Sequence, residues 1–195
     1  MGKRGHANPA DRRTRYTHSV IKQSLLELLR QKPFEKITVT ELCKVSEINR
    51  GTFYLHYFDA VDVLDDLIAD ICMDTADIVD YMLYPQCQKD QYPLCMKILS
   101  TPEYHPLYLD DAASSRILAK ISEDCRDRFV SHMMEHSALT EAQAEALFYF
   151  QLNGCIMVNR FTLRNHYSDW QSIQSVINQF MQEGLHQYLS EEKLG

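Results

Sequence analysis

The sequence lacks the patterns that mark membrane, secreted and disulfide-bonded proteins. No apolar run approaches the roughly 20 residues that a membrane-spanning helix requires, and the start, Met-Gly-Lys-Arg-Gly-His, lacks the apolar core of a signal peptide. The six cysteines form no C-x-x-C pair, and several fall on apolar helix faces, where a thiol packs as a small hydrophobic group. We therefore expect a cytoplasmic protein with reduced cysteines and no membrane segment.

The sequence signals of catalysis are also missing. There is no nucleophile motif, no glycine loop that could cradle a phosphate and no paired-carboxylate pattern. His132 and His136, one helical turn apart with Glu135 between them, could bind a metal, but no third ligand stands at a suitable spacing, which favours a surface pair. We expect neither an enzyme nor a bound metal or other cofactor.

Helical periodicity fills most of the chain, and no convincing pair of strands is present. A length of 195 residues suits one large or two small domains, and a hydrophobic content of 45% is ample for a buried core. The pattern predicts an all-α fold of about nine helices, preceded by a flexible arm over residues 1–11. The longer helices are predicted over 12–31, 59–83, 88–99, 114–137, 141–164 and 169–189, with caps at Asp59, Thr140 and Ser168.

Residues 37–58 are predicted to form a helix, a tight turn and a second short helix. Thr38 can cap the first helix, whose apolar residues fall on one face, and Arg50 opens the second. The first turn of the second helix is polar and slim, while Phe53 and Tyr57 anchor it from behind. A helix of this kind can enter a major groove of DNA, as in helix-turn-helix proteins.

Two parts of this unit resemble the DNA-binding signature of the tetracycline-repressor (TetR) family. They are Thr40-Glu41-Leu42 and, after the turn, the run I-N-R-G-T-F-Y-L-H-Y from Ile48 to Tyr57. The resemblance implies a three-helix head over 1–58 and a helical body over 59–195 that binds a small-molecule effector. It also implies two macromolecular partners, which are a palindromic operator in double-stranded DNA and a second copy of the chain joined through 141–189 as a four-helix bundle.

Two positions depart from the family pattern. The family commonly has glycine in the turn, whereas this turn reads Ser46-Glu47-Ile48. Glu47 would have to adopt backbone near the left-handed region, at a cost of about 1 kcal/mol. Ala60 stands where the family often has a lysine that faces phosphate. Both departures bear on the affinity for DNA rather than on the fold.

Charge is divided unevenly along the chain. Residues 1–58 hold eleven Lys and Arg against five Asp and Glu, a net charge of +6, and the remainder holds nine against twenty-two, a net charge of −13. The basic end can face phosphate while the acidic end is repelled from it, which would orient the molecule on a duplex.

Side-chain chemistry indicates which residues could contact DNA. Arg50 can bind a guanine bidentately from the start of the second helix, and Gly51 permits close approach of the backbone to DNA. The other predicted DNA contacts are Asn49, Thr52, Tyr54 and His56 in and after that first turn, and Thr38, Thr40 and Lys44 for phosphate alone.

The last two predicted helices carry more large apolar residues than a single core stripe needs. We therefore expect a dimer surface over 141–189, where Gly154 would let helices approach closely; one monomeric core is the alternative. A ligand cavity between helices could be lined by Tyr81, Tyr84, Tyr104, Tyr108, Phe148, Asn153 and Met157, although these residues could equally form ordinary core.

Together these features predict a sequence-specific transcription regulator that binds DNA through residues 38–57. A repressor released by a small-molecule inducer is the reading that the resemblance favours. Two alternatives stay open. One is a transcription activator, since some TetR-like proteins of the dihydroxyacetone-kinase group act as coactivators, and the other is a protein-interaction module with a weakened DNA-binding head.

Overall fold

The computed structural model describes residues 9–72, 75–84, 101–167 and 169–189. All regular elements in these ranges are helical, which confirms the predicted all-α fold. The α-helices are α1 (Pro9–Leu29), α2 (Val39–Ser46), α3 (Arg50–Tyr54), α4 (Ala60–Ile71), α5 (Thr75–Leu83), α6 (His105–Leu109), α7 (Asp111–His136), α8 (Glu141–Arg164) and α9 (Trp170–His186). Single 3-10 turns occupy Phe34–Lys36 and Pro102–Tyr104. The predicted helix over 88–99 and the predicted arm before residue 9 lie outside the described residues.

The chain divides into two compact units, Met1–Leu67 and Ile68–Gly195, which we call the head and the body. The division falls inside α4, later than the boundary after residue 58 that the sequence suggested.

The head is organised on the apolar face of α1. This helix packs against α2, and α2 packs against α3. The fully buried apolar side chains of the head are Ile21, Leu25, Leu42, Phe53, Val63 and Leu64. Burying one such side chain contributes about 2 kcal/mol to the free energy of folding. This cluster therefore fixes the positions of α2 and α3. α1 begins earlier than predicted, at Pro9 rather than Arg12, because proline suits the first turn of a helix.

In the body, α7 packs against α5, α6 and α8. The sequence pattern places Ile117, Leu118, Ile121, Cys125, Phe129 and Met133 on its inward face. Five of these side chains, recurring every four positions, are buried, whereas Leu118, next to Ile117, is half-buried. The ring of Phe129 lies 5.5 Å from that of Phe148 on α8, measured between centroids. The helix begins before the predicted residue 114, because Asp110 accepts a hydrogen bond from the backbone N–H of Ala113 and caps the first turn.

The prediction of one long helix over 59–83 is wrong, because the structure has two helices there. Asp59 does cap the first, since its Oδ1 accepts from the backbone N–H groups of Val61 and Asp62. That helix ends at Ile71, however, and α5 begins at Thr75. Apolar residues continue in helical phase through both helices, so periodicity alone gave no sign of the break.

Caps at the last two helices were predicted with mixed success. The capping box of Thr140 and Gln143 at the start of α8 is confirmed. At α9 the cap is Asp169, whose side chain accepts from the backbone N–H of Ser172. The predicted cap, Ser168, lies outside the described residues. Asp and Ser are similarly good caps, so adjacent candidates could not be told apart from the sequence.

Candidate functional site

A reciprocal capping box fixes the start of α2. The Thr38 hydroxyl oxygen accepts from the backbone N–H of Glu41 at 3.3 Å, and Glu41 Oε2 accepts from the backbone N–H of Thr38 at 3.1 Å. Lys32 Nζ forms an ion pair with Glu41 Oε1. Hydrogen bonds from Lys32 and then Thr38 lower the pKa of Glu41 to about 2. Thr38 was predicted to contact phosphate, but its side chain is committed to the cap.

The turn after α2 has the backbone that the sequence indicated. Glu47 adopts φ 57° and ψ 28°, in the left-handed region, and its backbone N–H donates to the carbonyl of Cys43. The backbone N–H of Ile48 donates to the same carbonyl at 3.1 Å. A residue other than glycine adopts this conformation at a cost of about 1 kcal/mol. The two hydrogen bonds to the Cys43 carbonyl offset this cost and hold the turn.

Asn49 and Gly51 together shape the start of α3. Asn49 Oδ1 accepts from the backbone N–H of Thr52 at 2.7 Å, which caps the helix. A Cβ placed on Gly51 would lie 3.3 Å from that same oxygen. Gly51 therefore makes room for the cap, a local reason for glycine that the sequence interpretation missed. The cap uses only Oδ1 of Asn49, so the contact of this side chain with DNA stays a prediction.

The outer face of α2 and α3 is exposed and cationic. Lys44 on α2 and Arg50 on α3 are exposed, and neither has a hydrogen bond or ion pair with another described residue. Thr40 and Tyr54 are exposed on the same two helices, and Thr52 is half-buried. Opposite this face, Phe53 is completely buried. The structure thus presents most of the predicted DNA contacts on one short unit anchored from behind.

Two large apolar side chains stand exposed just beyond α3, which the sequence interpretation did not single out. Leu55 is 81% exposed and Phe58 is 82% exposed. They flank His56, which was predicted to contact DNA and is half-buried. Exposed apolar side chains beside a cationic helix can contact thymine methyl groups or a protein partner.

His56 belongs to a hydrogen-bonded cluster that also escaped the sequence interpretation. Its Nδ1 lies 3.2 Å from Nε2 of His18 on α1. Nδ1 of His18 lies 2.9 Å from the Tyr57 hydroxyl and 3.1 Å from Asp66 Oδ2 on α4. Lys22 Nζ lies 2.8 Å from the same carboxylate oxygen. The cluster connects three elements of the head through side chains that are far apart in the sequence.

The proposed ligand residues of the body separate into different environments. Tyr108 and Phe148 are buried in the core. Met157 is exposed, and it lies nine residues after Phe148, which places it on the opposite side of α8. Asn153 is also exposed and donates to the carbonyl of Tyr149 one turn before it. The structure therefore does not bring Asn153 and Met157 to a common cavity with Phe148.

The tyrosines at the end of α5 contact other helices of the body. The Tyr81 hydroxyl donates to Asn178 Oδ1 on α9 at 2.7 Å. The Tyr84 hydroxyl oxygen lies 2.7 Å from Nε2 of His132 on α7. Tyr104 is half-buried in the second 3-10 turn. Tyr81 and Tyr84 thus place polar groups between helices, while Tyr104 belongs to a separate part of the chain.

Three buried polar atoms on α8 have no hydrogen-bond partner among the described residues: Gln151 Oε1, Asn159 Nδ2 and Arg160 Nε. Gln151 is 5% exposed and uses its amide nitrogen to donate to the carbonyl of Met82, and Asn159 is 2% exposed. Each such atom costs about 1–3 kcal/mol if it stays unpaired. A signal was present in the sequence, because Gln151 and Asn159 fall in phase with the apolar core positions of α8.

The outer faces of α8 and α9 are apolar. On α8 the exposed stripe runs Phe150, Gly154, Met157 and Phe161, and on α9 it runs Val176, Phe180 and Gly184. A Cβ added at Gly154 or Gly184 would meet no atom of the described residues within 4 Å beyond its neighbours in the same helix. The two stripes have the spacing of a helix-packing seam and nothing in the described body covers them.

Comparisons with known proteins agree with the helix-turn-helix head. No protein-family profile matches the sequence. A protein of Bacillus subtilis (strain 168), the uncharacterized HTH-type transcriptional regulator YxbF, is 33% identical over 51 residues, which are 26% of this chain and 13% of that protein. Among solved structures, the chain is similar to the fatty acid degradation regulator FadR from Bacillus halodurans, with a TM-score of 0.58, 12% identity and coverage of 91% of this chain and 96% of that one. The chain has the fold of a helical transcription regulator.

The histidine pair on α7 of the body is engaged within the fold. The rings of His132 and His136 stack at 4.1 Å between centroids, and Nδ1 of His136 bonds to the carbonyl of His132. Burial and then the nearby His136 lower the pKa of His132. No group of three His, Cys, Asp or Glu side chains suited to a metal occurs in the described ranges. Over the same residues, no helix is both long and apolar enough to cross a membrane.

Proposed function

We propose that this chain is a sequence-specific, DNA-binding transcription regulator of the tetracycline-repressor type. The observation that carries the proposal is the exposed cationic face of α2 and α3, where Lys44 and Arg50 have no partner in the described protein and Phe53 is buried directly behind them. An unpaired guanidinium at the start of a short capped helix is available for a base edge, because no ion pair has to be broken first.

The roles within this face differ. Arg50 reads sequence through guanine O6 and N7, while Lys44 and Thr40 hold phosphate from α2. Tyr54 adds a phosphate or base contact one turn after Arg50. Thr38 and Asn49 act indirectly, since their side chains cap α2 and α3 and fix the angle at which α3 meets the groove.

The body joins two copies of the chain through α8 and α9. The exposed stripe around Phe150 and Phe180 supports this, because it is apolar over several turns of both helices. Gly154 and Gly184 interrupt the stripes with open space, where a partner helix can approach closely. A symmetric dimer would present two α3 helices to a palindromic operator.

Regulation by a small-molecule effector completes the proposal, with repression relieved when the effector binds. Gln151 Oε1 and Asn159 Nδ2 support an effector site in the body, because a ligand that donates to one and accepts from the other would remove two unpaired atoms from the core. These residues stand eight positions apart on α8, about 12 Å along the helix axis.

Selection of bound duplexes from a random pool tests the proposal. We expect a palindromic sequence with two half-sites, whose binding to the protein weakens steeply as salt increases. Recovery of no preferred sequence, together with salt-independent or absent binding to random DNA, would contradict it.

One observation favours a second candidate, a protein-interaction module. Leu55 and Phe58 expose large apolar surfaces next to the proposed DNA contacts, which suits a protein partner better than phosphate. Leu55→Ser and Phe58→Ser separate the two functions. A DNA-binding head should lose little affinity for random duplexes in the double variant, because phosphate contacts dominate such binding.

A further inference from the structure

The cluster around His56 gives the DNA-binding face a titratable element. We propose that His56 is a proton-dependent phosphate contact: protonated at Nε2, it donates to a DNA phosphate, while His18 and Asp66 hold and orient its other ring nitrogen. The inference rests on the proposed DNA-binding function and extends it to regulation by pH.

Hydrogen positions in the cluster follow from donor and acceptor chemistry. Asp66 Oδ2 receives the Tyr57 hydroxyl hydrogen at 2.5 Å and lies 3.1 Å from Nδ1 of His18. A carboxylate can only accept, so Nδ1 of His18 carries a hydrogen. In the neutral ring Nε2 is then an acceptor. It lies 3.2 Å from Nδ1 of His56, which therefore donates.

This arrangement leaves Nε2 of neutral His56 with a lone pair. The ring is half-buried, and Nε2 makes no hydrogen bond with any described residue. Two acceptors repel each other, so the neutral ring cannot bond a phosphate oxygen. Protonation at Nε2 turns the same atom into a charged donor, and charge-assisted bonds of this kind are the stronger class. The bond from Nδ1 to His18 is kept.

Two charged side chains, Asp66 and Lys22, lie in or beside the hydrogen-bonded cluster. Burial raises the pKa of Asp66, but hydrogen bonds from Lys22, Tyr57 and His18 outweigh it and hold the pKa below its usual value. Asp66 is therefore an anion throughout the range in which imidazoles titrate. Lys22 is its other charged partner, at 2.8 Å from Oδ2.

The next charged side chains on the packed faces are Arg15, one turn before His18 on α1, and Asp62, one turn before Asp66 on α4. Both are exposed, so solvent screens their opposite effects on the ring. The electrostatics of the site are consequently set by Asp66 and Lys22.

The sign of the effect follows from linkage. The DNA-bound protein holds more protons than the free protein, so the affinity for DNA rises as pH falls through the imidazole range. Uptake of one proton on binding changes the affinity for DNA by at most about tenfold for each pH unit. Asp66 stays ionised over this range and adds no titration of its own.

The test uses a fluorescent random-sequence duplex and the full-length protein, titrated from about pH 8 to about pH 6 at constant ionic strength. The wild-type protein should bind several-fold more tightly at the lower pH. His56→Phe and His18→Phe should each flatten the pH dependence, and the double variant should show no further change. If His18→Phe unfolds, His18→Gln is the substitute, since an amide fills the site without titrating. Lys44→Ala is the matched control, because it should weaken binding at every pH and keep the slope.

Nuclear magnetic resonance of the imidazole nitrogens in the free protein supplies an independent readout. Both His18 and His56 should carry hydrogen on Nδ1 at high pH. A His56 ring with hydrogen on Nε2 would overturn the proposal whatever the DNA data show. Binding that occurs but does not change with pH overturns the proton-dependent contact and leaves the proposed function standing, whereas absence of duplex binding at every pH overturns both.

Discussion

The head and the body differ in how completely each satisfies its own polar groups. In the head, the buried hydroxyls of Thr17, Ser24 and Ser46 each donate to a carbonyl of their own helix, at 3.0, 2.8 and 2.7 Å. All three buried side-chain atoms without a partner in the described chain lie on α8 of the body. A unit with every buried donor paired can hold a fixed shape, whereas unpaired buried atoms mark a place where something else can bind.

The exposed surfaces of the head and the body also differ in polarity. The exposed face of α2 and α3 is polar and cationic, and the exposed stripes of α8 and α9 are apolar. Water solvates the first without help, but the second remains unfavourable until it is covered. The contrast supports the proposal that the body, unlike the head, is completed by a second copy of the chain and an effector.

Breaking the body's surface should have the largest effect. Phe150 is 63% exposed at the centre of the α8 stripe. Phe150→Asp would place an unpaired charge in the apolar interface of the proposed dimer, so we expect that dimer to dissociate into monomers, with at least about a hundredfold loss of association. Sedimentation velocity at micromolar concentration reports the change directly.

Ala119→Asp is the matched control, because it adds the same charge at an exposed position of α7, away from both stripes. It should leave the sedimentation coefficient unchanged. A wild-type protein that sediments as a monomer would remove the basis for contrasting the two surfaces.

The head's surface should give the next largest effect. Arg50→Ala should cost about 1–3 kcal/mol on the selected duplex and relax preference at one base pair, since a bidentate contact to guanine is lost. Lys44→Ala should weaken selected and random duplexes alike. Equal losses on both kinds of DNA for Arg50→Ala would show that Arg50 only holds phosphate.

Two equivalent capping boxes allow the stability of the units to be compared. Thr38 with Glu41 opens α2 in the head, and Thr140 with Gln143 opens α8 in the body. Replacing either threonine by alanine should cost about 1 kcal/mol. The only tryptophan, Trp170, lies in the body, so its fluorescence follows the body while circular dichroism follows both units. Thr38→Ala should shift only the dichroism transition, and coincident shifts for both variants would mean that the units unfold together.

The two boxes should also respond differently to acid. The pKa of Glu41 falls from 4.5 to about 2 on folding, through its bonds to Lys32 and Thr38. A lowered pKa stabilises the folded head above about pH 4.5, and this contribution is lost as the pH falls towards 2. Gln143 does not titrate. Glu41→Gln should therefore flatten the head's acid dependence over this range, and an unchanged profile would mean that other carboxylates dominate it.

The sequence predicted the features that depend on neighbouring residues in the chain. The cap at Thr38, the left-handed turn at Glu47 and the buried face of α7 depend on residues within a few positions, so the sequence could predict them directly. The break between α4 and α5 was hidden, because apolar residues continue in phase across it.

The missed parts of the candidate sites depend on long-range contacts. His18 and Asp66 meet His56 and Tyr57 only after α1, α3 and α4 have packed, and no spacing rule connects residues separated by 38 or 48 positions. Asn153 and Met157 were grouped with Phe148 by residue type, and helix phase separates them. Gln151 and Asn159 could have been found, because polar residues at core positions of a helix stand out in the sequence.

The smallest expected effect tests a feature that the two units share. Glu47 in the head and His166 in the body both adopt positive φ, at 57° and 53°. Glycine relieves the strain of this conformation, about 1–2 kcal/mol, but loses about 0.5–1 kcal/mol of chain entropy on folding, so each glycine variant should be more stable by about 0.5 kcal/mol. Urea denaturation, followed by dichroism for Glu47→Gly and by fluorescence for His166→Gly, measures both gains in stability.

Only Glu47→Gly should also tighten binding to random duplexes, because it removes an exposed negative charge between α2 and α3. His166→Gly serves as its control. If both variants leave the affinity for DNA unchanged, the turn does not approach phosphate. In that case α2 and α3 bind DNA with the turn facing away from the duplex.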